Sequence, residues 1–306
     1  SGDSALRSGL IAGLAAYLLW GFLPLLFKWL HAVSPPTIVA DRTLFSLVFV
    51  GLILLVTRRL AEIRVALSDF ATLRSMLLSA AILAVNWLIF VYAVEAGHVL
   101  ETSFGYFMNP LVNVAIGMMF LGEKLNRWQA VSIAIAIVAI AIQAIGLAGV
   151  PFVALSLAFT FAAYGYFRKT AKVASTPGLF VETLLMAPLA IAYLGFIFIR
   201  DGGVGEHADP AVLGMLALTG PATAVPLLLF AFAVQRLRLT TIGMLQYVAP
   251  SIAFLLAVFV FKEELNPLRL LSFGLIWLSL AVYTTDSIIR RRGTRASPAP
   301  PPPSAA

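Results

Sequence analysis

Polar side chains that interrupt apolar runs are the residues of this sequence whose types and spacing can do chemistry. Asp41-Arg42 stands inside an apolar run at 36–56 and Asn86-Trp87 in the middle of one at 73–94. Glu101, Tyr106 and Asn109 precede Pro110 in 99–121, Glu182-Thr183 lies in 178–199, and Gln246-Tyr247 precedes Pro250 in 240–261. Proline has no amide hydrogen and its ring displaces the carbonyl four residues back, so Pro110 frees the carbonyl of Tyr106 and Pro250 that of Gln246. Polar backbone in an apolar medium is tolerated where it is buried in protein or lines a wet cavity. The chemistry on offer is therefore reversible binding. Trp20 and Tyr164, each followed by glycine, join Tyr106 and Tyr247 as flat faces for an apolar solute body. Asn86, Glu101, Asn109 and Gln246 supply hydrogen bonds to its polar end.

Catalysis has less to work with. With no cysteine, thiolate nucleophiles, disulfides and iron–sulfur clusters are excluded. The three histidines form no metal-binding pair, and no metal or cofactor is expected. No Walker A sequence is present, so the chain does not hydrolyse nucleotide itself. His98 with Glu95 or Glu101 is the acid–base combination that keeps a membrane-embedded enzyme as an alternative. A passive channel is the other, although no ring of identical charges marks a pore. Asp41, Arg42, His98 and Glu182 are the candidates for proton coupling or for structural buried charge.

The elements that position these groups follow from composition. Hydrophobic residues make up 61% of the chain and charged ones 11%, against roughly 25% charged in soluble domains, so lipid is the solvent for most of it. Ten apolar runs lie at 8–30, 36–56, 73–94, 99–121, 126–145, 150–167, 178–199, 211–233, 240–261 and 267–288. Each suits a spanning helix and none alternates as a barrel strand does. Sixteen of the 21 basic residues fall at one face and four at the other, with Arg42 inside a run. This asymmetry predicts both termini in the cytoplasm and accounts for the net charge of +7 without nucleic acid. Residues 57–72 read as a basic, partly amphipathic surface connection, and the Pro-rich 293–306 as a disordered tail.

The chain repeats itself. Pro110, Glu123, Leu125, Asn126 and Ser132 recur as Pro250, Glu263, Leu265, Asn266 and Ser272, all 140 residues on, and Ala93-Val94 as Ala233-Val234. Two five-helix units, 8–145 and 150–288, are expected. An odd number of spans per unit inverts the second against the first, placing a shared site near the bilayer midplane. Asn126 with Gln129 reads as a helix capping box, and Asn266-Pro267 as a second helix start. Small residues Ala130, Ala134, Ala136 and Ala141 offer a face for a tight helix pair or a homodimer.

Trp20-Gly21-Phe22-Leu23-Pro24, Asn86-Trp87-Leu88-Ile89-Phe90, the block from Gly97 to Leu111, and Thr241 to Pro250 resemble the EamA family of the drug/metabolite transporter superfamily, and within it the RarD-type, chloramphenicol-sensitivity permeases. The resemblance runs over nearly all of 8–288. It implies ten helices in two repeats, a bacterial inner-membrane location, and export of small metabolites or drugs, amino acids among them. Where these permeases commonly show His-Arg, this chain has Asp41-Arg42, so a role resting on that histidine does not carry over. Together these readings give an all-α membrane protein of ten transmembrane helices in two inverted repeats. Its expected function is secondary transport of small amphipathic solutes by alternating access.

Overall fold

The computed structural model describes residues 2–96, 99–145, 152–201, 203, 205–260 and 267–296, without the side chains of 2–3, 24, 91, 94–95, 99–103, 257 and 291–296. Helices follow the apolar runs because backbone amides in an apolar medium must be satisfied within the segment. They are α1 (Gly2–Trp29), α2 (Pro35–Val56), α3 (Leu60–Ser68), α4 (Phe70–Glu95), α5 (Val99–Leu121), α6 (Arg127–Ala144), α7 (Phe152–Thr170), α8 (Ser175–Arg200), α9 (Pro210–Val234), α10 (Leu239–Gln246), α11 (Val248–Phe259) and α12 (Pro267–Ala296). A 3-10 turn, Gly205–His207, sits between α8 and α9. There are no strands among the described residues.

Nine segments among the described residues are long and apolar enough to cross a membrane, with α10 and α11 counted together over Leu239–Leu256. Helix α7 covers the remaining apolar run with 19 residues and ends on Arg168 and Lys169. The connection 57–72 is more structured than a loop. It folds as α3, whose Ala66 packs with Met76 and Val181. Helix α12 continues past Gly293 into the stretch expected to be a tail.

The two prolines that free a carbonyl, Pro110 and Pro250, act differently on their helices. Helix α5 runs unbroken through Pro110, whereas the ninth run splits at Tyr247, between α10 and α11. The split falls where the Pro250 ring displaces the Gln246 carbonyl. Pro188, Pro221 and Pro226 are likewise accommodated inside α8 and α9.

The chain groups into two compact units. The larger, Ser1–Glu123 with Gly146–Glu264, holds the first four spanning elements of each half. Within it α1 packs on α9 as α7 packs on α4, α2 packs on α8, and α1 on α11 as α7 on α5. Its core is built from Tyr17, Leu54, Leu83, Tyr164, Leu227 and Phe230, among others. The smaller unit, Lys124–Ile145 with Leu265–Ala306, is the pair α6 and α12.

That pair is held by reciprocal polar contacts. Ser132 Oγ donates to the Ser279 carbonyl at 2.7 Å, and Ser272 Oγ donates to the Ala139 carbonyl at 2.8 Å. Residue 132 faces 279 and residue 139 faces 272, so the helices run antiparallel. The contact uses Ser132, Ala136 and Ala139, while Ala130, Ala134 and Ala141 of the expected small-residue face are exposed. At the start of α6 the capping box forms as expected, Gln129 N–H donating to Asn126 Oδ1 at 2.9 Å and Asn126 N–H to Gln129 Oε1 at 3.2 Å.

Candidate functional site

Helices α5 and α10, one from each half, cross in close contact. A Cβ on Gly243 would lie 2.6 Å from the Pro110 carbonyl oxygen, a distance that only a residue without a side chain avoids. Here Asn113 Nδ2 donates to Gln246 Oε1 at 2.8 Å. Both residues are buried, Asn113 with 1% of its surface exposed. The bond joins the two halves beside the break at Tyr247. On α5 and at the break, three buried oxygens have no hydrogen-bond partner among the described residues, Asn109 Oδ1, Asn113 Oδ1 and Tyr247 Oη, and Tyr17 Oη on α1 is likewise unmet. An unmet buried polar group is costly, so this region is set up for a polar ligand or for water.

Helix α10 is positioned from across the fold. The Glu123 carboxylate, in the turn after α5, accepts from the backbone N–H of Leu239 at 2.7 Å and of Thr240 at 3.0 Å, and from the Thr240 hydroxyl. A carboxylate at a helix start satisfies otherwise orphaned amides and meets the positive end of the helix dipole. Glu123 thus caps a helix of the opposite half.

Aromatic rings form a second feature. Trp20 lies 5.4 Å from Tyr17, and 5.9 Å from both Phe161 and Phe230, centroid to centroid. Tyr164 stacks on Phe230 at 6.0 Å and 16°. Trp20 is half-buried, whereas Tyr164 and Tyr247 have no exposed surface.

Three charged arrangements complete the larger unit. Glu182 pairs with Arg168 at 3.7 Å, both side chains at 0% exposure, and accepts from the hydroxyls of Tyr164 at 3.2 Å and of Ser79. Asp41 pairs with His207 Nε2 at 2.8 Å, beside a cavity of about 260 Å³ lined by these two residues with Glu206, Asp201, Ile197 and Phe198 among others. Glu206 in turn accepts from the Ser34 N–H at 2.9 Å, tying the turn to the start of α2. Arg42 faces elsewhere, its guanidinium carbon 4.0 Å from the Trp87 ring centroid. Asn86 donates to the Leu157 carbonyl at 3.1 Å and to Thr160 Oγ1 at 2.8 Å, joining α4 to α7.

Of the residues singled out in the sequence, Gln246, Tyr247 and Asn109 belong to the α5–α10 region with its unmet oxygens. Trp20 is in the aromatic cluster, while Tyr106 is half exposed beside Phe90, ring centroids 6.4 Å apart. Tyr164 is a core residue, its hydroxyl committed to Glu182. His98, the side chain of Glu101, and Glu263, Leu265 and Asn266 lie outside the described residues. Asn113, Tyr17, Arg168 and His207 are additions. Asn113 was findable: it stands four residues after Asn109, on the same helix face. The partners of Asp41 and Glu182 come from distant sequence and had no local signal. Among the described residues no group of acids and histidines could hold a metal.

Long apolar helices with buried polar crossings define a multi-pass helical membrane protein. The chain belongs to the EamA-like transporter family, whose profile matches it twice, over residues 7–144 and 149–285. It is 41% identical over 288 residues to an uncharacterized transporter of Pseudomonas aeruginosa, covering 92% of this chain and 95% of that one. To Protein RarD of Escherichia coli strain K12 it is 36% identical, with 94% and 97% covered. A chloramphenicol-sensitive RarD protein of Pseudomonas aeruginosa is 29% identical over 94% and 97%. A crystal structure of 19% identity superposes with a TM-score of 0.71 over 95% of this chain and 99% of that one, and so shares its fold. The chain is a RarD-type permease of this family, and the family and the 41% identical relative bear the names of transporters.

Proposed function

We propose that the protein is a secondary transporter that carries small amphipathic solutes, amino acids and drugs among the candidates, out across the bacterial inner membrane by alternating access. In this reading ten helices form two inverted repeats, 8–145 and 150–288, with both termini in the cytoplasm. The observation that carries it is the α5–α10 crossing. One polar bridge, Asn113–Gln246, links the two halves beside a broken helix and three unmet buried oxygens. Transporters of inverted-repeat construction place their sites at such repeat interfaces, next to interrupted helices. Inversion draws support from the register of α6 on α12. The contact of 132 with 279 becomes that of 272 with 139 when 140 is added to one partner and removed from the other. That is the mark of a two-fold axis across antiparallel helices.

On this account Trp20 and Tyr106, with Tyr17, receive the solute's apolar body. Asn109, Gln246 and Tyr247, joined by Asn113, bind its polar end. Asn86 and Tyr164 shape the wall from behind, and Glu101, in the first turn of α5, adds to the polar end, with His98 a further candidate for coupling. Asp41 and Glu182 are the carboxylates through which protons would couple. The test is counterflow in proteoliposomes of the purified protein, over a panel of amino acids and amphipathic drugs. Saturable uptake accelerated by unlabelled solute on the opposite side is expected. Non-saturating leak, or no protein-dependent flux of any compound, contradicts the reading.

A further inference from the structure

An arginine inside an apolar helix is costly and keeps its charge, so its partners report its purpose. Arg42 lies about 10 Å along α2 from the helix start. Within the spanning helices of the same unit, the described carboxylates are already engaged. Asp41 turns to His207 and Glu182 to Arg168. Adjacent helical residues point about 100° apart, so Asp41 cannot serve its own neighbour. Among the described residues Arg42 has no carboxylate partner, and its Nε is buried without a hydrogen bond. Its planar cation stacks over Trp87 at 4.0 Å, with the Tyr106 phenol within electrostatic reach. Tyr106 keeps 50% of its surface exposed.

Stacking occupies the face of a guanidinium and leaves its N–H edge to bind in the plane. That edge matches the two oxygens of a carboxylate, which it binds by paired, charge-assisted hydrogen bonds. We propose that Arg42 is the anion-recognition residue of the transport site, and that the solute is an amphipathic carboxylate whose apolar body lies against Trp87 and Tyr106. This names the substrate class of the carrier proposed above and rests on that reading. The stack holds the fork in one orientation, which favours planar carboxylates over spherical anions. A lipid phosphate shares the oxyanion chemistry and is separated by the test.

The experiment uses the full chain purified in detergent, with 3-phenylpropionate as probe and its neutral amide and 2-phenylethylamine as controls. Binding is read by tryptophan fluorescence and by the thermal unfolding midpoint. Saturable binding of the carboxylate alone is expected. R42K, which keeps charge but loses the fork, should weaken it about 10- to 100-fold, and R42Q should abolish it. Equal binding of acid and amide, or undiminished binding by R42K, overturns the assignment. So does stabilisation by phosphatidylglycerol micelles with none by phenylpropionate, which makes Arg42 a lipid contact. Counterflow separates this proposal from its foundation. Exchange of amine or amide but not acid removes the anion site and leaves the carrier. Arg42-dependent binding of the acid without exchange of any solute keeps the site and removes the carrier.

Discussion

Arg168 and Glu182 form an ion pair in the interior of the larger unit. Both are fully enclosed and 3.7 Å apart. Removing one charge leaves the other buried and unpaired, at a cost of about 3–5 kcal/mol. Glu182→Leu should therefore lower the unfolding midpoint in detergent sharply, and the double variant with Arg168→Met should recover most of the loss. A double variant no better than the single one would show that the pair is not an isolated couple. Gly178 makes room for it: a Cβ there would sit 2.2 Å from an Arg168 nitrogen. At the crossing, Gly243→Ala forces its methyl against the Pro110 carbonyl and should abolish folded yield, measured by monodisperse protein after extraction. Glu182 was visible as an interruption of an apolar run, and Arg168 stands just past the end of another. Their pairing was not, because Arg168 and Glu182 sit on separate helices and nothing local says that the turn between them folds one against the other. Likewise the fate of Tyr164 depended on which face of α7 meets Phe230, a matter of packing and not of residue type.

Helix ends divide into those set locally and those set from afar. The capping box at Asn126 was legible because its partners are three residues apart. The cap that Glu123 places on α10 was not, because its carboxylate meets amides 116 and 117 residues later. Glu123→Ala leaves the Leu239 and Thr240 amides without their acceptor and should cost about 0.5–2 kcal/mol. It should also slow solute exchange, because α10 carries Gln246. Unchanged thermal stability and unchanged counterflow would show that α10 does not need this cap. Pro250 accompanies the break at Tyr247, whereas Pro110 leaves α5 continuous. A proline within a helix kinks or interrupts it according to whether neighbours satisfy the freed carbonyl, which sequence alone does not reveal. On α6 and α12, Ser132→Ala and Ser272→Ala each remove one member of the reciprocal pair. Losses of about 0.6 kcal/mol each, up to about 1.7, are expected in unfolding from mixed micelles.

For the whole molecule, composition and the 140-residue offset carried most of the architecture. Lipid as solvent, helices as the elements and duplication of the chain all follow from polar punctuation of apolar runs. Which helix of one half rests on which of the other did not follow, because apolar faces look alike in sequence when lipid and protein are equally apolar neighbours. Orientation rests on the basic residues. The absence of native cysteine makes it directly measurable: single cysteines substituted at Arg58 and Lys172 should label from the cytoplasmic side, and one at Asp209 from the outside. The central claim is that one site at the crossing of the two halves opens to each side in turn. It is tested most directly by Tyr106→Cys as the sole cysteine, treated with a membrane-impermeant maleimide in right-side-out and in inside-out vesicles. The account predicts that the introduced thiol is labelled from both sides. Labelling from one side only, under all solute conditions, would contradict it.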